Sequence, residues 1–243
     1  MDTSNFDRLR ITCFGGGTGL PSLLSGLKKN PWLDVTAVVS MFDSGGSSGV
    51  LRDRFGILPP SDVMRCLLAL SEDEAVARKI LLKRIEHREM PGHTGGNLLL
   101  FALEKMYGNY PDAVNALGQI LSSRGTVVPV SYEQSALRAE YADGSVAAHE
   151  ADVDAGMRAG KVVQRVYLDP PVRASQSAIQ AIERADVLCV SPGSLYTSIL
   201  PNFLPAGIRE SCLASRAPIF AVCSLLTEGK GMAEMGVREI VET

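Results

Sequence analysis

Four segments of the sequence combine glycine with hydroxyl, amide or acidic side chains, a composition suited to holding a phosphate group. They are Gly15-Gly16-Gly17-Thr18-Gly19, Asp43-Ser44-Gly45-Gly46-Ser47-Ser48-Gly49, His93-Thr94-Gly95-Gly96-Asn97 and Ser191-Pro192-Gly193-Ser194-Leu195-Tyr196-Thr197-Ser198. In such loops several backbone N–H groups can point at one anion, and a following helix adds the partial positive charge of its N-terminus. A single loop of this kind is often only a tight turn. Several of them on one edge of a fold indicate a phosphate or pyrophosphate site.

The segments between these loops alternate as an open α/β sheet requires. Apolar, strand-like runs predict buried strands at 9–14, 35–41, 187–190 and 219–223. Helical spacing and start signals predict helices over 18–29, 62–71, 74–88, 97–107, 111–123, 174–184 and 207–215. The predicted fold class is therefore α/β: a Rossmann-like open, mostly parallel sheet with helices on both faces.

Residues 126–168 differ from this alternation. Short strand-like runs and the Asp143-Gly144 turn signal predict a small β-rich insertion or sheet edge within one nucleotide-binding domain that spans 1–243. The runs are 127–130, 135–141, 146–150 and 162–168. Ligands bind beyond the carboxyl ends of the strands in such sheets. The first, second and fourth loops should therefore lie on one edge, and the third must fold over to join them.

The overall composition excludes several classes of protein. The 243 residues are 46% hydrophobic and 21% charged, which is typical of a globular chain. A net charge of -3 argues against a nucleic-acid partner. The sequence has no apolar run of membrane-spanning length and a polar start, so a cytoplasmic protein is expected. Five widely spaced cysteines, without a zinc-type spacing, are interpreted as reduced core residues.

The loops lack the signatures of the commonest phosphate-binding proteins. No Gly-x-x-x-x-Gly-Lys-[Ser/Thr] motif is present, and Leu20 stands where a dinucleotide fingerprint needs glycine or alanine. Asp43 follows the second strand, and three roles are open for it. Its carboxylate could hold Mg²⁺ against the phosphates, accept hydrogen bonds from sugar hydroxyls, or cap its own turn.

Other side chains near the loops also have more than one interpretation. His93 is a phosphate donor, a proton carrier or a capping residue, and together with Asp43 it is a candidate catalytic residue. Tyr196 either stacks on a base or sugar or packs in the core. An arginine near the second loop either clamps phosphate or pairs at the surface; the candidates are Arg52, Arg54 and Arg65.

In their order along the chain, the four loops together with Pro59-Pro60-x-Asp62 resemble a known superfamily. It contains the YvcK-type gluconeogenesis factors and the CofD-type 2-phospho-L-lactate transferases. The resemblance implies a Rossmann-like fold that binds a nucleotide-linked phosphate ligand. The transferase branch moves phospholactate from a guanosine diphosphate donor to a deazaflavin acceptor with Mg²⁺. The gluconeogenesis factors bind UDP-sugars such as UDP-N-acetylglucosamine and support carbon metabolism and cell-wall synthesis.

The Gly45–Gly49 turn is similar to the gluconeogenesis factors, whereas the transferases typically have a tryptophan there and the one tryptophan of this chain is Trp32. The chain departs from those factors in two ways. Ser44 stands where they usually have a second aspartate, and they usually continue for several more elements beyond the position where this sequence stops.

Two functions follow as hypotheses. The first is a cytoplasmic UDP-sugar-binding regulator of carbon metabolism and cell-wall synthesis. The second is a phospholactate transferase in which Asp43 holds Mg²⁺ and His93 assists the reaction. Mg²⁺ is the one cofactor left open, and no tightly bound organic cofactor is expected. For the oligomeric state, a homo-oligomer is one alternative to a monomer. The expected ligand-binding residues are Gly16, Gly17, Thr18, Gly19, Asp43, Gly46, Ser47, Ser48, Asp62, His93, Asn97, Gly193, Ser194 and Tyr196.

Overall fold

The computed structural model describes residues 8–44, 58–85, 92–224, 232 and 235–242. Its main sheet has five parallel strands in the order β3-β2-β1-β7-β8. These strands are β1 (Leu9–Gly15), β2 (Leu33–Val39), β3 (Thr126–Pro129), β7 (Val187–Val190) and β8 (Ile219–Ala221). The predicted α/β class with an open, mostly parallel sheet is confirmed.

The chain reverses its direction of travel across the sheet at β1. From β1 it passes outward to β2 and β3, and later it returns to the other side of β1 to form β7 and β8. The crevice at such a reversal is where open α/β sheets bind ligands. The loops that follow β1 and β7 meet there, because a Cβ on Gly19 would collide with the carbonyl of Pro192. Glycine is therefore required at position 19 by close packing of two loops.

The described helices are α1 (Gly19–Leu27), α2 (Ser61–Leu70), α3 (Glu74–Leu81), α4 (Gly95–Tyr107), α5 (Tyr110–Ile120), α6 (Glu150–Arg158), α7 (Gln176–Arg184), α8 (Ile208–Ala214) and α9 (Val237–Glu242). Seven of them follow the seven predicted segments, with shifted ends, and α6 and α9 are additional. The helix predicted over 74–88 ends at Leu81, and Arg84 instead makes an antiparallel bridge with Thr94. Among the described residues, no helix is both long and apolar enough to cross a bilayer.

The expected β-rich insertion at 126–168 differs from the structure in two respects. Its first strand, β3, pairs in parallel with β2 and so belongs to the main sheet. The other strands, β4 (Ala136–Tyr141), β5 (Val146–Ala147) and β6 (Val163–Asp169), form a separate antiparallel sheet in the order β5-β4-β6. The strand expected over 146–150 stops at Ala147, and the chain then forms helix α6, which was not predicted.

Two hydrophobic cores support these two sheets. The main core includes the fully buried Phe14 of β1, Leu68 of α2 and Leu100 of α4. A second, smaller core joins the antiparallel sheet to α6 and includes Val153 and Met157. Helix α6 is therefore held by a different set of packed side chains from the helices of the main core.

Candidate functional site

The four glycine-containing loops all contribute to one cavity of about 240 Å³ beside the C-terminal ends of β1 and β2. Gly17 comes from the first loop and Asp43 from the second. The third loop contributes Thr94 and Asn97, and the fourth contributes Thr197 and Ser198. The third loop does fold over to join the others, so the predicted convergence of the loops is confirmed.

The first loop already holds an acidic side chain of the protein. The Gly17 N–H donates to Oδ2 of Asp62 at 2.9 Å, and a Cβ on Gly16 would lie only 2.9 Å from the same oxygen. Thr18 precedes α1 without a side-chain cap, and its carbonyl accepts the N–H of Ser22. The loop was expected to hold a phosphate, and in this structure its Gly17 amide already donates to the carboxyl group of Asp62.

Asp62 is buried in the first turn of α2, and its environment acts on its charge in both directions. Burial raises the pKa of its carboxyl group above the usual range, and the nearby Asp43 carboxylate adds to this. The Gly17 N–H and the Arg65 guanidinium oppose the rise because they stabilise the charged form. Asp62 therefore lies between a cationic and an anionic part of the cavity.

The cationic part, which we call the arginine group, consists of Arg65, Arg84, Ser61, Thr94 and Asn97. Arg65 Nη1 lies 3.4 Å from Oδ1 of Asp62, and Arg84 Nη1 donates to the carbonyl of Gly92 at 2.6 Å. Asn97 Nδ2 donates to Ser61 Oγ at 3.3 Å, which ties the N-terminus of α4 to that of α2. Thr94 caps α4 by accepting the N–H of Asn97.

The anionic part, which we call the carboxylate group, consists of Asp43 and Glu150. Ala151 N donates to Ser44 Oγ at 3.2 Å and so fixes the start of α6 against the second loop. Burial raises the pKa of Glu150 to about 7, and the nearby carboxylates of Asp43, Asp154 and Asp62 act in the same direction. A backbone hydrogen bond from Ser44 opposes that rise.

The fourth loop enters the cavity through a single π-helical turn, Leu195–Ile199. The N–H groups of Ser198 and Ile199 both donate to the carbonyl of Ser194 at 2.9 Å. Asn202 Nδ2 donates to the Ser198 carbonyl at 2.8 Å, and Thr197 Oγ1 donates to Asp154 at 3.0 Å. π-Turns of this kind occur frequently at functional sites.

Three predicted residues of the fourth loop do not line the cavity. Ser194 Oγ is buried without a hydrogen-bond partner among the described residues, and Gly193 packs against Ser198. Tyr196 is buried in the second core, where its hydroxyl donates to the sulfur of Met235 at 3.8 Å. Of the two interpretations of Tyr196, packing in a core is the one that the structure matches.

His93 also lies outside the set of lining residues, although Thr94 and Asn97 belong to it. It is half-buried, and its main-chain carbonyl accepts the N–H of Ile85 at 2.7 Å. The predicted residues Gly46, Ser47 and Ser48 lie outside the described residues, as do Arg52 and Arg54.

Two charged residues of the cavity, Arg84 and Glu150, were missed by the sequence analysis. Neither belongs to a motif. Arg84 was placed inside a helix that ends before it, and Glu150 was placed at the end of a strand. Thr197 and Ser198 belong to the fourth loop, but the ligand-binding residues expected from that loop were Gly193, Ser194 and Tyr196.

A magnesium ion at this cavity would need ligands in addition to the described residues of the protein. Among the described residues, no group of three or more histidine, cysteine or acidic side chains is arranged to hold a metal ion. Mg²⁺ is often bound by one or two carboxylates together with phosphate oxygens of a substrate. Asp43, which lines the cavity, supplies one suitable carboxylate, so Mg²⁺ fits here only together with a phosphate ligand.

Comparison with known proteins identifies the family. The family model described as 2-phospho-L-lactate transferase CofD matches residues 11–243. The chain belongs to this family. It is 39% identical over 220 residues to a putative gluconeogenesis factor of Thermotoga maritima, a match that covers 90% of this chain and 69% of that protein. It is also 38% identical over 221 residues to the gluconeogenesis factor of Bacillus subtilis, covering 90% of this chain and 68% of that protein.

A solved structure of a similar protein has the same fold. The crystal structure of a protein from Bacillus halodurans superimposes with a TM-score of 0.90 at 36% identity, covering 97% of this chain and 75% of that chain. The expected resemblance to YvcK-type gluconeogenesis factors within the CofD-like superfamily is therefore confirmed.

Proposed function

We propose that this protein binds a nucleotide sugar of the UDP-N-acetylglucosamine type in the shared cavity. In this proposal it acts in the cytoplasm as a regulator of carbon metabolism and cell-wall synthesis, in keeping with the relatives named gluconeogenesis factors. The observation that carries the proposal is the convergence of four polar loops on a single cavity that offers both guanidinium and carboxylate groups.

The two charged groups match the two ends of such a ligand. Guanidinium groups form charge-assisted hydrogen bonds with phosphate oxygens, and Arg65 and Arg84 supply them here. Carboxylates accept hydrogen bonds from ribose and sugar hydroxyls, and Asp43 and Glu150 supply those. A nucleotide sugar carries both kinds of group, with phosphates that suit the arginines and hydroxyls that suit the carboxylates.

Ligand-induced stabilisation against heat tests the proposal. A ligand at 100 times its dissociation constant adds about 2.7 kcal/mol of stability. We expect UDP-N-acetylglucosamine to raise the melting temperature more than UDP, and GDP to have little effect. No shift with any uridine nucleotide at millimolar concentration would contradict the proposal.

The second candidate is transfer of a phospholactate group, and the description of the matching family model favours it. Asp43 would then act together with Mg²⁺ and a guanosine diphosphate donor, which is the chemistry that the transferases of this superfamily use. Incubation with a phospholactate-bearing guanosine diphosphate donor and a deazaflavin acceptor, with and without Mg²⁺, distinguishes the two functions. Magnesium-dependent product formation would establish the transferase and displace the first proposal.

A further inference from the structure

The Gly15–Gly19 loop was expected to bind phosphate, yet its central amide is already in use. Gly17 N–H donates to Asp62 Oδ2 at 2.9 Å, and Asp62 is a buried residue of α2. A phosphate at this amide would have to displace the carboxylate or lie beside it, and two like charges in close contact repel each other. Because Gly17 is the residue through which this loop lines the cavity, the phosphate groups of a ligand are better placed against positive groups elsewhere on the cavity wall.

We propose that Arg65 and Arg84 bind the phosphate groups of the ligand, and that the Gly15–Gly19 loop serves to hold Asp62. This inference rests on the proposed function for the identity of the ligand, but the anion site can be tested without a nucleotide. The chemistry it selects is a diphosphate, free or attached to a nucleoside.

The contacts of the two arginines leave them available to a ligand. Arg65 is 41% exposed, and its ion pair with Asp62 is long, at 3.4 Å. Arg84 Nη1 donates to the Gly92 carbonyl, and within the described part of the chain no carboxylate forms an ion pair with Arg84. A guanidinium group has five N–H donors, so a single carbonyl contact leaves most of them for a second acceptor.

The surrounding backbone adds positive potential at the same place. Helices α2 and α4 both begin at the cavity, and the hydrogen bond between Asn97 and Ser61 joins their first turns. Helix N-termini carry a partial positive charge that stabilises bound anions. Arg65 lies one turn along α2, and Arg84 bridges to Thr94, which caps α4. Side chains and helix ends thus favour an anion at one common position.

Asp62 separates this position from the carboxylate group. Its Oδ1 faces Arg65 and its Oδ2 accepts from the Gly17 N–H, while the Asp43 carboxylate lies near enough to Glu150 to raise the pKa of Glu150. A phosphate near Glu150 would meet several negative charges. At the arginine group it meets two positive ones, so the electrostatics of the cavity give the ligand one orientation.

Calorimetric titration with inorganic pyrophosphate, UDP and uridine tests the inference. We expect Arg84→Met and Arg65→Met each to weaken pyrophosphate and UDP binding by roughly tenfold to a hundredfold. Arg84→Lys should lose less than Arg84→Met, because it keeps the charge but not the planar fork of donors. The matched control is Arg124→Met, since Arg124 pairs with Glu72 at 2.8 Å outside the cavity. It should leave all affinities unchanged.

The outcomes separate this inference from the proposed function. Pyrophosphate binding that depends on Arg65 and Arg84 supports the anion site even if no nucleotide binds, and a UDP affinity well above that of pyrophosphate identifies a nucleotide as the source of the phosphate. Unchanged affinities in both methionine variants, with melting temperatures equal to that of the parent, would overturn the inference. The inference would also be overturned if Arg124→Met weakened the binding of UDP-N-acetylglucosamine as much as Arg84→Met does.

Discussion

The arginine group and the carboxylate group line the same cavity, but they differ in charge and in what holds them. The arginine group stands on α2, on the start of α4 and, through Arg84, on the segment that bridges to the cap of α4. Both helices pack in the main core. In the carboxylate group, Glu150 begins α6, whose buried residues belong to the second core, whereas Asp43 directly follows Phe42 of the main core. The charge difference shows which end of a ligand each side can bind. Because α6 packs in a different core from α2 and α4, Glu150 can be perturbed without disturbing the helices of the arginine group.

The largest expected effect comes from the core beneath the arginine group. Leu100 of α4 is fully buried, so Leu100→Ala should lower the free energy of unfolding by about 2–5 kcal/mol. The control in the same helix is Met106→Ala, because Met106 is 80% exposed and should change stability by less than about 0.5 kcal/mol. Urea unfolding measures both. Equal losses of unfolding free energy in the two variants would mean that Leu100 does not pack in the core as described.

Alanine substitution of two glycines in α1, Gly19 and Gly26, should change stability in opposite directions and by smaller amounts. Gly19→Ala forces a Cβ into the Pro192 carbonyl and should destabilise by about 1–3 kcal/mol while weakening ligand binding. Gly26→Ala has no atom within 4 Å of the added Cβ and should stabilise by about 0.5–1 kcal/mol. Thermal unfolding of both variants checks the contrast. A Gly19→Ala protein as stable as the parent would show that the two loops do not meet.

The pH dependence of stability should report on the carboxylate group. Glu150 has its pKa raised from 4.5 to about 7, so between those values the folded protein binds more protons than the unfolded chain. Stability from this group is present below pH 4.5 and is lost as the pH rises toward 7. The loss is about 1–2 kcal/mol, allowing for the partial exposure of the side chain.

The matched variant for this titration is Glu150→Gln, which keeps the shape of the side chain and removes its charge. Urea unfolding at a series of pH values should show a shallower decline for Glu150→Gln than for the parent between pH 4.5 and 7. Parallel curves for the two proteins would contradict the assignment of the decline to Glu150.

The sequence was sufficient to predict the framework of the site. Strand-like runs and glycine turns located β1, α1, β2 and β7, and the rule that ligands lie beyond the strand ends placed their loops together. These features depend on local patterns and on the topology of parallel sheets. The residues that supply the cavity's charges were harder to find. Gly17 and Asp62 are 45 positions apart, and Ser44 and Ala151 are 107 apart, so only the folded chain shows their contacts.

Helix α6 was missed for a local reason. It has nine residues, and only Val153 and Met157 are buried, so its apolar pattern is a single i, i+4 pair. The sequence pattern also extended the strand that begins at Val146 as far as Glu150, over the first residue of the helix. In the fourth loop, a π-turn brings Thr197 and Ser198 to the cavity, and no sequence signal indicated that turn.

The most direct test of the account is to measure the affinities of UDP and UDP-N-acetylglucosamine for the parent, Arg84→Met and Glu150→Gln proteins by calorimetry. We expect Arg84→Met to weaken both ligands by the same factor, since both carry the diphosphate. At pH 8, above the pKa of about 7 for Glu150, Glu150→Gln should weaken only the nucleotide sugar, by roughly tenfold, through loss of a hydrogen bond to a charged acceptor. If Glu150→Gln instead weakened UDP as strongly as UDP-N-acetylglucosamine, or if Arg84→Met affected neither ligand, the ligand would not span the cavity as described.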